Sequence, residues 1–74
     1  MVGKKELKKI TYSLRNALKE ITKLKLVDSM LRARYAEYLI AYELVKRGYD
    51  VQLSSAFKGV IFPRKSGQFE EFVI

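Results

Sequence analysis

The stretch from Tyr35 to Val51, YAEYLIAYELVKRGYDV, carries the body of a helix, its stop and the start of a strand. Apolar residues recur at helical intervals as far as Val45, and Gly48 supplies the left-handed residue that ends a helix. Tyr49 to Leu53, YDVQL, then alternates as a strand does. Extended backwards to a capping Asp28 or Ser29, the helix covers residues 29–47. Leu31, Tyr35, Tyr38, Tyr42 and Val45 form one stripe along it, and Met30, Ala33, Ile40, Ala41 and Leu44 an adjoining one. Only Arg32, Glu43, Lys46 and Arg47 mark a plainly polar arc, so the helix is expected to pack on two sides. Tyrosine is half apolar and needs a partner only at its hydroxyl tip, which favours core or interface over base stacking for the tyrosine stripe. One carboxylate, Glu37, sits in the middle of the apolar surface and needs a reason to be there.

Upstream, Leu7, Ile10, Leu14, Ala17, Ile21 and Leu24 fall at alternating spacings of three and four, with Leu18 beside them, which predicts an amphipathic helix over 4–26. Its heptad-like seam is too short to require a coiled coil and serves equally well against a neighbouring helix. The opposite face, at about 100° per residue, gathers Lys5, Lys8, Lys9, Tyr12, Arg15, Asn16, Lys19 and Lys23. Downstream, SSAFKG reads as a loop or bulge, and GVIF and FEEFVI as strands joined by the turn PRKSGQ. The expected architecture is a single α/β (α+β) domain over 1–74, with two helices packed on a small, mainly antiparallel three-stranded sheet in the order ααβββ. Its strands are expected at about 49–53, 59–62 and 69–74.

Composition narrows the chemistry. There is no cysteine and no histidine, so thiolate or imidazole metal sites, a cysteine nucleophile and the usual general base near neutral pH are excluded. A metal would have to be a hard cation on carboxylates. The opening segment is charged and has no apolar run of signal-peptide type, and no apolar run is long enough to cross a bilayer, so a cytoplasmic protein without a membrane partner is expected. At 74 residues the apolar core is small, which makes a homo-oligomer, or a larger protein partner that completes the core, an expectation.

The net charge of +7 is concentrated at one end. Residues 1–26 hold eight Lys/Arg against two Glu, residues 27–50 four against four, and residues 51–74 three against two. Phosphates attract such a face, and an interleaved Tyr12 can stack on a base or cover a sugar. Nucleic acid, DNA or RNA, is therefore the expected partner, with Lys5, Lys8, Lys9, Tyr12, Arg15, Lys19 and Lys23 as candidate contacts and Lys58, Arg64 and Lys65 as outlying ones. Against this stand a plain solvated face, an acidic protein partner, and an interaction or oligomerisation module that uses the helix-one seam or the tyrosine stripe.

The run AEYLIAYELVKRGYDVQLSSAFKG resembles the opening of nuclease domains of the PD-(D/E)XK restriction-endonuclease-like superfamily, including archaeal Holliday junction resolvases. The part KRGYDVQLSSAFKG is similar, to a like degree, to the catalytic domain of archaeal tRNA-splicing endonucleases. The resemblance covers about residues 34–60 and implies that Glu37 helps to hold Mg²⁺ or Mn²⁺ and that Lys58 and Gly59 form the loop before the second strand. The pattern then departs. The metal-binding Asp falls on Val60 or Ile61, and Glu70 and Glu71 lie near the expected (D/E)xK without a Lys after them. The splicing chemistry needs a His that is absent. A noncatalytic, degenerate nuclease-like module is the reading that results, with Glu37, Glu70 and Glu71 as the metal candidates a divalent-metal nuclease would use. Read from the residues alone, Glu37 pairs with Arg34 or Lys58, or lies at an exposed edge.

Overall fold

A computed structural model describes residues 3–25, 28–55 and 59–74. Among these, the chain forms α1 (Lys4–Ser13), α2 (Arg15–Thr22), α3 (Ser29–Lys46), β1 (Asp50–Leu53), β2 (Val60–Arg64) and β3 (Phe72–Val73). This is the expected α+β class, with an antiparallel sheet in the order β1-β2-β3.

The expected single helix over 4–26 is two. Leu14 leaves helical geometry at φ −100°, ψ 10°, and its amide donates to Thr11 O at 3.1 Å, one residue short of the α-helical acceptor. The cause lies in the preceding turn. Thr11 Oγ1 donates to Leu7 O at 2.9 Å and Ser13 Oγ to Ile10 O at 2.6 Å, and such back-bonding competes with the helix ladder and bends it. The break re-phases α2, so the seam does not run straight. Leu7 and Ile10 are buried, Leu14 and Leu18 pack beside them, and Ala17 and Leu24 are exposed.

Helix α3 begins and ends as its sequence requires. Asp28 accepts from Met30 N at 2.7 Å as N-cap, and Gly48 takes φ +91° beyond the last turn. Gly48 N donates to Val45 O at 3.1 Å and Tyr49 N to Leu44 O at 3.0 Å, the paired bonds of a Schellman motif. The helix packs, as expected, against both the first helical segment and the sheet, but it does so through one arc and not through both stripes. Ile40 and Leu44 join Leu7, Ile10, Tyr49 and Ile61 in one core, shared by the helical arm, α3 and the sheet. Because both neighbours meet this same arc, the tyrosine stripe of Leu31, Tyr35, Tyr38, Tyr42 and Val45 lies exposed rather than in the core.

The strand bounds also shift. Strand β2 runs through Pro63, which was expected in the turn, and pairs it with Val51. Pro63 O accepts from Glu70 N at 3.2 Å on the β3 side, and its missing N–H faces the same way, so the β1 ladder loses nothing. The β2–β3 ladder does lose a donor there, and regular pairing is confined to Phe72–Val73 instead of 69–74. Ile74 N still reaches Gly59 O at 2.9 Å.

Candidate nucleic-acid interface

Helix periodicity sets Lys8, Tyr12, Arg15 and Lys19 along one side of the α1–α2 arm, and the fold turns that side toward β3. Together with Thr11, Leu18, Phe72 and Val73 they line an open groove of about 410 Å³. The Arg15 guanidinium lies 4.2 Å from the centre of the Tyr12 ring and also donates to Tyr12 O at 3.2 Å. Tyr12 is nonetheless two-thirds exposed. Lys5 and Lys9 on α1 and Lys23 just past the end of α2 are exposed but do not line the groove. Among the described residues, none of these six cations has a carboxylate within ion-pair distance.

The other basic groups are engaged elsewhere. Lys46 and Arg47 share Glu43 at 3.4 and 3.2 Å, and the Arg47 hydrogen bond holds the Glu43 carboxyl below the usual carboxylate range. Arg64 lies 3.5 Å from Asp50, stacks 4.1 Å over Phe69 and donates to Gly67 O at 3.3 Å, so it fastens its own turn. Lys65 is exposed, with its ammonium 5.2 Å from the centre of the buried Tyr49 ring. Burial, followed by its hydrogen bond to Glu6, pushes the Tyr49 hydroxyl up to about 12. Lys58 lies outside the described residues.

Glu37 is fully buried and both its oxygens are committed. Oε1 accepts from Arg34 Nη1 at 3.0 Å and Oε2 from Gly59 N at 2.9 Å. Arg34 Nη2 in turn donates to Ser54 O at 2.8 Å. The pair thus ties α3 to both sides of the connection between β1 and β2. Of the readings open from sequence, pairing with Arg34 is present, exposure at an edge is not, and pairing with Lys58 falls outside the described residues. Glu70 and Glu71 are exposed before β3, and among the described residues no three acidic side chains lie together. A cation at Glu37 would have to compete with the Arg34 guanidinium and the Gly59 amide, each already bonded to one carboxylate oxygen.

Sequence reasoning placed the cations and Tyr12 on one face but missed Phe72 and Val73 as the opposite wall of the groove. The alternation in FEEFVI identifies a strand without saying which helix it lies beside. The Gly59 amide was likewise invisible, because a backbone donor leaves no side-chain signature. No protein-family model, curated protein or solved structure matches this chain. Among the described residues no helix is long and apolar enough to cross a membrane.

Proposed function

We propose that this chain is a small cytoplasmic nucleic-acid-binding protein that holds the phosphate backbone of DNA or RNA on the α1–α2 arm, without catalysis, as a degenerate nuclease-like module. The observation that carries this reading is the row of exposed cations, Lys5, Lys8, Lys9, Arg15, Lys19 and Lys23, lying apart from the ion pairs formed by Glu37, Glu43 and Asp50. A solvated face made for solubility mixes acids with its lysines, and Glu20 and Glu6 do not pair with this row. Lysines on a helix face position a backbone and do not read bases, so sequence preference should be weak. The committed oxygens of Glu37 support the noncatalytic part.

The test is a mobility shift on duplex, single-stranded and branched DNA and on RNA, with and without Mg²⁺, repeated over a salt series. Phosphate contacts predict steep weakening as salt rises. Affinity indifferent to salt would refute them, and cleavage in any lane would refute a noncatalytic role.

The exposed stripe of Leu31, Tyr35, Tyr38, Tyr42 and Val45 favours a second role, in association with a second copy or a larger protein partner. Such a patch is unusual on a monomer, whereas the helix-one seam is already partly consumed by the core. Sedimentation of the wild type and of Tyr38→Lys tests it. A monomer at every concentration would remove the self-association reading.

A further inference from the structure

The groove between the α1–α2 arm and β3 combines two chemistries, and phosphate binding needs only one of them. Lys8, Arg15 and Lys19 bring charge, while Leu18, Phe72 and Val73 bring apolar surface, and no acidic side chain lines it. We propose that the groove takes one unpaired base of a single-stranded nucleic acid, stacked on Tyr12, with the neighbouring phosphates held by Lys8 on one side and by Arg15 and Lys19 on the other. This rests on the nucleic-acid reading above and deepens it.

The size and spacing agree. About 410 Å³ lies at the small end of ligand pockets and has room for a nucleoside. Lys8 lies on α1 and Lys19 on α2, before and after Tyr12 along the arm, so a strand crossing Tyr12 meets a cation on each flank. Tyr12 is exposed at 66%, and Arg15 covers only one face of its ring. The exposed ring offers a stacking platform, and an arginine beside a ring stacks well on a base. In a duplex both faces of every base are already covered, and entry would require unstacking. The groove would then stay empty and only backbone contacts would form.

Fluorescence anisotropy separates these contributions with three ligands: a twelve-nucleotide thymidine strand, the same sugar-phosphate strand without bases, and a duplex of the same length. The wild type should bind the thymidine strand on the order of tenfold more tightly than the abasic strand, the value of about one stacked base. Tyr12→Ala removes the platform and Val73→Leu fills part of the groove without adding a ring to stack on. The first should bring that ratio close to one and the second should lower it, with circular dichroism confirming the fold. Lys8→Gln should weaken both strands and leave the ratio in place.

Equal wild-type affinity for the two strands overturns the base site while leaving backbone binding intact. A ratio that survives both groove substitutions places the base elsewhere and also overturns it. Binding of none of the three ligands overturns this inference together with the nucleic-acid reading. Saturable binding of a peptide of alternating Glu and Leu, in preference to the thymidine strand, would make the occupant a protein segment and overturn it as well.

Discussion

Glu37→Gln keeps the shape of the side chain and removes one charge from a site closed to solvent. The variant amide can still accept from one donor, but it cannot serve Arg34 Nη1 and Gly59 N as a carboxylate does. The Arg34 guanidinium, itself 8% exposed, would keep its bond to Ser54 O but lose the charge of its carboxylate partner. Breaking a buried ion pair by removing one partner costs about 3–5 kcal/mol. Retention of the Ser54 bond puts the expected loss near the lower end, about 3 kcal/mol. A 74-residue chain has a total stability of roughly 4–11 kcal/mol, so much of the folded population is at stake. At about 4–8 °C per kcal/mol for a domain of this size, the melting temperature should fall by roughly 15 °C. Urea unfolding and thermal melts followed by circular dichroism measure both quantities. Replacing the pair together by Arg34→Met and Glu37→Leu should recover part of the loss, because both charges leave together while Gly59 N and Ser54 O lose the partners the pair supplied. A loss below about 1 kcal/mol in the single variant would refute the account of Glu37 as a committed buried partner. Mn²⁺ provides a second check, since a metal-dependent rise in the melting temperature confined to the wild type would return Glu37 to metal binding.

Charge reversal of Lys8, Arg15 and Lys19 to Glu should abolish nucleic-acid binding with the fold intact, whereas Lys46→Glu, on a cation already shared with Glu43, should matter little; equal weakening by both would reduce the effect to net charge. Gly48→Ala meets no atom within 4 Å at its new Cβ but forces a left-handed φ of +91° on a residue with a side chain, so a loss of about 1 kcal/mol is expected in urea. The Tyr49 hydroxyl is raised in the folded state from its ordinary value of 10 to about 12, so the stability it contributes is complete below pH 10 and is lost as pH climbs toward 12. Thermal melts across that window should fall more steeply for the wild type than for Tyr49→Phe, and parallel curves would refute the assignment.

The helix α3 boundaries were legible because each rests on a local device that a side chain or a glycine announces. Asp28 can reach the next turn's amide and Gly48 can take a positive φ, and neither needs a tertiary neighbour to do so. The split of the first helix rests on equally local chemistry, the hydroxyls of Thr11 and Ser13, but its signal is weak. A seam with spacing of three and four continues across Leu14 unbroken, and apolar periodicity cannot register a single residue of irregular backbone. Pro63 misled for a different reason. Proline marks a turn on average, yet its missing donor harms a sheet only on the side it faces, and that side depends on the register with β3.

The same distinction separates what was readable in the site from what was not. Lys8, Tyr12, Arg15 and Lys19 share a face through helical geometry alone, so their grouping precedes any knowledge of packing. That this face closes against Phe72 and Val73 depends on where three elements meet, and the one-dimensional pattern holds no record of it. The tyrosine stripe shows how apolar character and burial come apart. Its five residues have the spacing of a packed seam, but the small core is satisfied by the Ile40 and Leu44 arc, and no element among the described residues covers the stripe. Exposed tyrosine is tolerable because its hydroxyl stays hydrated, whereas the same stripe in leucine would form a larger aggregation hazard. The chemistry of Tyr therefore permits both a free helix face and a docked one, and substitution of Tyr38 by Lys discriminates them by its effect on sedimentation rather than on folding.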